Sequence, residues 1–155
     1  MNTIMQESIK SQSIIPRIDG IERDIQRLGK LGDLPFDGFE KEDNFIKAQF
    51  FLRQALEGVF HIATHILARI PGGRATEYKE IALKLGEVGV VDKDFADHQL
   101  KSMAGYRNRL THFYAEITAE EIYKIIQENL GDFDVFLRAI RKLMKHPEEF
   151  NLRVE

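Results

Sequence analysis

Apolar residues recur at steps of three and four along most of the chain, and no alternating stretch is long enough to make a useful strand. That period is the period of one helix face, so it restricts the fold to packed helices. Ile18, Ile21, Ile25 and Leu28 give a first helix from about Pro16 to Lys30. Phe45, Leu52, Ala55, Val59, Ile62 and Ile66 give a long second helix over roughly Lys41 to Arg69. A short third helix is expected over about Glu77 to Leu85, and a fourth from about Lys93 onward. The fifth opens at "TAEE", where Thr118 and Glu121 have capping-box spacing, and runs to His146. Pro16, Pro35, Pro71 and Pro147 stand where helices are expected to begin or end. "GKLGDLPFDGF" reads as a loop, and "VGVVD" is the only candidate strand. The fold class is therefore all-α, a bundle of about five helices. Residues 16–147 form its single domain; residues 1–15 are an N-terminal extension expected to fray, and 148–155 a C-terminal tail.

Composition removes several chemistries. Cysteine is absent, which excludes disulfides, thiolate catalysis and zinc–thiolate sites. No apolar run is long enough to span a membrane, and the N-terminus lacks the basic start and apolar block of a secretory signal, so a cytoplasmic protein is expected. The net charge of −3 argues against broad attraction to nucleic acid, so any RNA or DNA site must be a local patch.

One stretch does not read as plain amphipathic helix: "GYRNRLTHFYAEIT", residues 105–118. On a wheel of about 100° per residue, Phe95, Met103, Tyr106, Leu110 and Phe113 fall on the core side. Lys101, Gly105, Asn108 and His112 form a second stripe roughly opposite. Gly105 costs the helix about 1 kcal/mol relative to alanine, and its place on that stripe lets a ligand or another backbone approach. Arg107 lies about 140° from His112, so the two do not meet on one straight helix. Either the helix distorts, or a second copy supplies the complement across a two-fold axis.

Arginine and histidine without metal ligands or a nucleophilic Ser or Cys suit RNA cleavage, in which the ribose 2′-hydroxyl attacks its own phosphate. Histidine exchanges protons near neutral pH, and arginine's planar fork matches the charged phosphate oxygens. Asn108, one turn before His112, is placed to orient the ring or the phosphate. Lys101 and Arg109 are the candidate substrate-binding cations.

"RNRLTHFY" matches the R-x4-H-x-Y motif of the HepT toxins of the HEPN superfamily, and the chain from about Phe36 to Lys145 is similar to that family. The resemblance implies a HEPN-type bundle that dimerises through the region of the motif-bearing helix. It implies a metal-independent endoribonuclease acting on tRNA or mRNA, with no cofactor, as the toxin of a toxin–antitoxin pair. Arg107 and His112 match the catalytic positions. Tyr114 matches the tyrosine to which the cognate antitoxin, a minimal nucleotidyltransferase (MNT), attaches AMP. This chain lacks the transferase's G-S…D-x-D signature, so it reads as the substrate of that partner. The alternative is a non-catalytic HEPN module that docks to the transferase and is only modified by it.

Other patterns read more plainly. His61 and His65, with Glu57 before them, have a spacing that can bind metal, but the stripe Gln54, Gly58, His61 and His65 reads better as a polar seam between helices or subunits. "PGGRATEY" is a helix-joining turn that lacks the Lys-Ser/Thr ending of a P-loop. Arg138, Arg141, Lys142 and Lys145 complement the dipole of the last helix.

Overall fold

The structure, a computed structural model, describes residues 6–112 and 116–155. The chain begins with strand β1 (Glu7–Ile9), followed by α1 (Ser11–Gly32), the single turn α2 (Phe36–Phe39), α3 (Glu42–Leu67) and α4 (Tyr78–Glu87). Then come α5 (Lys93–Phe95), a π-helical turn (Ala96–Leu100) and α6 (Lys101–His112). α7 (Ala119–Glu128), α8 (Gly131–Lys145), a 3-10 turn (Pro147–Phe150) and strand β2 (Leu152–Val154) complete it. The expected helical bundle is present, and Phe39, Phe60, Phe133 and Phe136 lie fully buried within it.

α1 and α3 form the spine. Lys10 meets His65, Ile21 meets Gly58 and Asp24 meets Gln54, so the two helices run antiparallel. They cross closely because residue 58 is glycine: a Cβ there would stand 2.9 Å from Ile21 Cγ1. α6 packs on α3 and α4, and the π-turn packs on α4. There Gly86 is required, since a Cβ would come within 2.6 Å of the Ala96 methyl.

Five expectations need correction. The N-terminal residues 7–15 are not frayed: β1 pairs in parallel with β2, Glu7 opposite Leu152 and Ile9 opposite Val154, and α1 starts at Ser11. Ile9 and Leu152 are buried, and Lys10 ion-pairs with Glu155, so the chain's two ends clasp each other. Pro16 sits inside α1 and not at its start. The carbonyl it leaves without a donor belongs to exposed Gln12, where water satisfies it at little cost.

The expected fifth helix is two helices. Asn129 leaves the helical region at φ −123°, and its side-chain amide reaches the Asp132 carboxylate at 3.5 Å. The apolar phase carries on across the break, with Ile122, Ile126, Phe133 and Leu137 all buried, so periodicity alone reads through it. "VGVVD" is a turn with Gly89 at φ +80°, its Val90 and Val91 side chains buried. Part of the "GKLGDLPFDGF" segment is helical, because α1 continues to Gly32 and Phe36–Phe39 makes a turn under Tyr123.

Candidate functional site

The motif-bearing helix is a composite. The π-turn inserts between α5 and α6 just before the motif, a feature often found at functional sites. Within α6 burial is graded, with Gly105 and Asn108 of the outer stripe half-buried. Met103 and Leu110 are buried, Tyr106 is half-buried, and Lys101 and His112 are exposed. Phe113 and Tyr114 lie outside the described residues. A Cβ added at Gly105 would meet nothing nearer than Lys79 Cε at 4.0 Å, so packing within the chain does not demand glycine there.

Arg107 turns toward the body of the protein. Its guanidinium carbon lies 3.9 Å from the centroid of the Tyr78 ring, and Tyr78 packs edge-on against Phe60 with centroids 5.3 Å apart. The first residue of α4 is thus a platform for the motif arginine, held by a fully buried α3 phenylalanine. A cation over an aromatic face gains about 0.5–2 kcal/mol. Unlike a carboxylate, the ring does not cancel the charge. Among the described residues no carboxylate ion-pairs with Arg107, and its Nε is buried without a hydrogen-bond partner. The arginine is therefore fixed in place while its charge remains available to an anion.

Arg109 has a different employment. Its two terminal nitrogens donate to the two carboxylate oxygens of Glu121 at 2.5 and 3.2 Å. Glu121 also donates its backbone N–H to Thr118 Oγ1, the expected cap of α7. Glu121 thus takes part in the cap of α7 and ties that helix to α6. Gripping a substrate with Arg109, as its sequence position suggests, requires that bidentate pair to open. Asn108 is half-buried, and Lys101 lines a separate cavity of about 490 Å³ with Gly105 and Ser102.

The seam stripe on α3 comes beside Arg107. His61, Thr64 and His65 line one recess with Arg107, Tyr78 and Glu57. His65 Nε2 accepts a hydrogen bond from the Lys10 backbone N–H at 3.2 Å. Burial, reinforced by the Arg69 charge, lowers its pKa to about 4, and burial and Arg17 also lower that of His61. Both imidazoles are neutral at physiological pH. The sequence assigned this stripe to a seam but did not connect it to the motif. Tyr78 was missed altogether, since a contact between the start of α4 and the middle of α6 leaves no local pattern. In the basic end of α8, Arg141 ion-pairs with Glu22 of α1.

Residues 21–140 match the family model described as "Ribonuclease HepT-like". The chain is 23% identical over 145 residues to a tRNA nuclease HepT of Aphanizomenon flos-aquae, covering 93% of this chain and 98% of that one. It is 27% identical over 131 residues to an mRNA nuclease HepT of Shewanella oneidensis, covering 83% and 96%. Its fold resembles that of the tri-AMPylated Shewanella oneidensis HEPN toxin solved in complex with its MNT antitoxin, with a TM-score of 0.76, 25% identity and coverage of 85% and 98%. A toxin–antitoxin structure with AMP-PNP is similar at a TM-score of 0.71, with 25% identity and coverage of 84% and 98%.

Proposed function

Because the chain belongs to the HepT-like ribonuclease family, we propose that it is the toxin of a HEPN/MNT pair, an endoribonuclease that works without metal or cofactor on tRNA or mRNA in the cytoplasm. The observation that carries this reading is the seating of Arg107 on Tyr78, a fixed cation with its charge uncancelled. The ribose 2′-oxygen forms a bond to phosphorus and loses its proton to the His112 imidazole. Arg107 stabilises the pentavalent phosphate as charge builds on its oxygens. The bond from phosphorus to the 5′-oxygen then breaks, and an imidazolium returns a proton to that oxygen. The products are a 2′,3′-cyclic phosphate and a free 5′-hydroxyl. Asn108 supports the ring or the phosphate, and Lys101 is the exposed cation on the His112 stripe.

A homodimer built through the α6 region fits this chemistry, since the two motif residues diverge on one helix. Its surface is supplied by Ile46 and Phe50 of α3, 53% and 48% exposed, around a shallow recess floored by Leu110 of α6. Large apolar side chains this open beside the motif favour burial by a second copy.

Tyr114 is the proposed modification site. The MNT partner supplies ATP chemistry: the phenol oxygen bonds to the α-phosphorus, pyrophosphate leaves, and an adenylate remains. Its bulk and negative charge, two residues beyond His112, would oppose the same phosphate that Arg107 attracts.

The test is purified protein incubated with bulk RNA in EDTA. Cleavage by the wild type and its loss in Arg107→Ala and His112→Ala proteins that still fold is the expected result. Intact RNA with every protein would favour the binding module that is only modified. A mass gain of one or more AMP groups on exposure to the transferase and ATP, absent in Tyr114→Phe, tests the regulatory half.

A further inference from the structure

The polar faces of α1 and α3 diverge from their close crossing at Gly58 into a groove of about 780 Å³. Arg17, Arg23 and Arg27 line its α1 side, facing Gln54, Glu57 and His61 of α3. Glu57 and His61 also line the recess of about 510 Å³ that holds Arg107 and Tyr78. The two hollows therefore adjoin, with Glu57 and His61 between them, and together they follow α3 from Gln54 to Ala68, about 21 Å at a rise of ~1.5 Å per residue.

The charge along these hollows is one-sided, although the whole chain carries −3. Four arginines line them against two carboxylates, and both carboxylates are engaged. Asp24 is buried 3.8 Å from Arg27, and Gln54, oriented with its amide nitrogen inward, donates to both its oxygens at 2.9 and 3.1 Å. Glu57 lies 4.0 Å from Arg53. Among the described residues, Arg17, Arg23 and Arg107 have no ion-pair partner, and the Nε atoms of Arg17 and Arg107 are buried without a hydrogen-bond partner. The two walls also differ in kind. α1 offers guanidinium groups, whereas α3 offers a primary amide, a threonine hydroxyl, two neutral imidazoles and the single Glu57 carboxylate. A single strand presents phosphates along one edge and bases along the other, and such walls match it: cations for the backbone, flat rings and hydrogen-bonding groups for the bases.

We propose that these adjoining hollows are the track on which single-stranded RNA lies as it approaches Arg107, with Arg17 and Arg23 gripping phosphates and His61 and Gln54 facing the bases. The proposal rests on the ribonuclease reading above and adds to it the path of the strand outside the motif.

The experiment uses the full-length chain with His112→Ala, which holds RNA uncut, and a fluorescein-labelled 12-nucleotide single-stranded RNA. Polarisation titrations are run across a range of KCl. Adding Arg17→Gln and Arg23→Gln together is expected to weaken binding at least tenfold. It should also lower the slope of log K against log salt by about 1.4, near 0.7 for each phosphate no longer neutralised. Arg23→Gln alone, at an exposed position that folding does not depend on, should give about half that change. Glu57→Gln should tighten binding. In protein that retains His112, adding Arg17→Gln and Arg23→Gln together should lower kcat/KM about tenfold through KM. Unchanged affinity and slope in the double variant overturn the track, as does a loss confined to binding of the transferase partner. Wild-type protein that cuts no RNA yet binds it through Arg17 and Arg23 overturns the ribonuclease reading and leaves the track standing. Cleavage that survives with no dependence on the two arginines does the reverse.

Discussion

The guanidinium of Arg107 rests 3.9 Å from the ring centroid of Tyr78, so the motif's cation is positioned by an aromatic face from a different helix. That relationship makes Tyr78 a positioning residue. Tyr78→Phe keeps the ring and should retain near wild-type cleavage. Tyr78→Ala releases the guanidinium and should lower kcat about 5- to 30-fold, the equivalent of ~1–2 kcal/mol. Steady-state kinetics on a short RNA checks this, and equal losses in both variants would point to the hydroxyl instead.

Arg109 and Glu121 should behave as a structural pair. They are about one-third exposed, so their coupling is modest, about 1 kcal/mol in a double-mutant cycle on unfolding free energy. Arg109→Ala should loosen the start of α7 without abolishing cleavage. A tenfold or greater rise in KM with unchanged stability would return Arg109 to the substrate.

Two glycines should respond oppositely to alanine. Gly58→Ala forces a methyl against Ile21 and should destabilise by about 1–3 kcal/mol. Gly105→Ala has room within the chain and should stabilise α6 by up to about 1 kcal/mol. Thermal melts distinguish the two. A Gly105→Ala protein that folds normally but loses its dimer would show that a second copy uses the space.

Asp24 and His65 should pull stability in opposite directions with pH. Burial raises the Asp24 pKa to about 6, so the folded chain holds this proton more tightly than the unfolded one. Its contribution is fully present below the ordinary carboxylate value and is lost as pH rises toward 6. His65, lowered to about 4, resists protonation in the fold, so its contribution is present above the ordinary histidine value and is lost as pH falls toward 4. Between about pH 4 and 6 the two slopes oppose each other. Asp24→Asn should leave stability rising with pH there. His65→Gln should leave it falling. Urea titrations at several pH values read both.

The helices were legible because each buries a stripe at its own period, and the cap at Thr118 because its signal is local. Long-range features were not. β1 and β2 are three residues each, too short to alternate visibly, and they join opposite ends of the chain. The break at Asn129 keeps the apolar phase, so the pattern does not register it. At the site, the offset of about 140° between positions 107 and 112 follows from their spacing on a helix. What Arg107 turns toward could not, because Tyr78 and the α3 histidines meet it only through tertiary packing.

The central claim is that this chain cuts RNA with the ribose 2′-hydroxyl as nucleophile, served by His112 and Arg107. The most direct measurement is mass spectrometry of the products from a short RNA in EDTA, beside the same RNA carrying one 2′-deoxy nucleotide at the cut site. A 2′,3′-cyclic phosphate from the first, no cut at the modified position in the second, and neither product with His112→Ala is the predicted result. Cleavage of the deoxy substrate at the same position, or wild-type rates from His112→Ala, would contradict it.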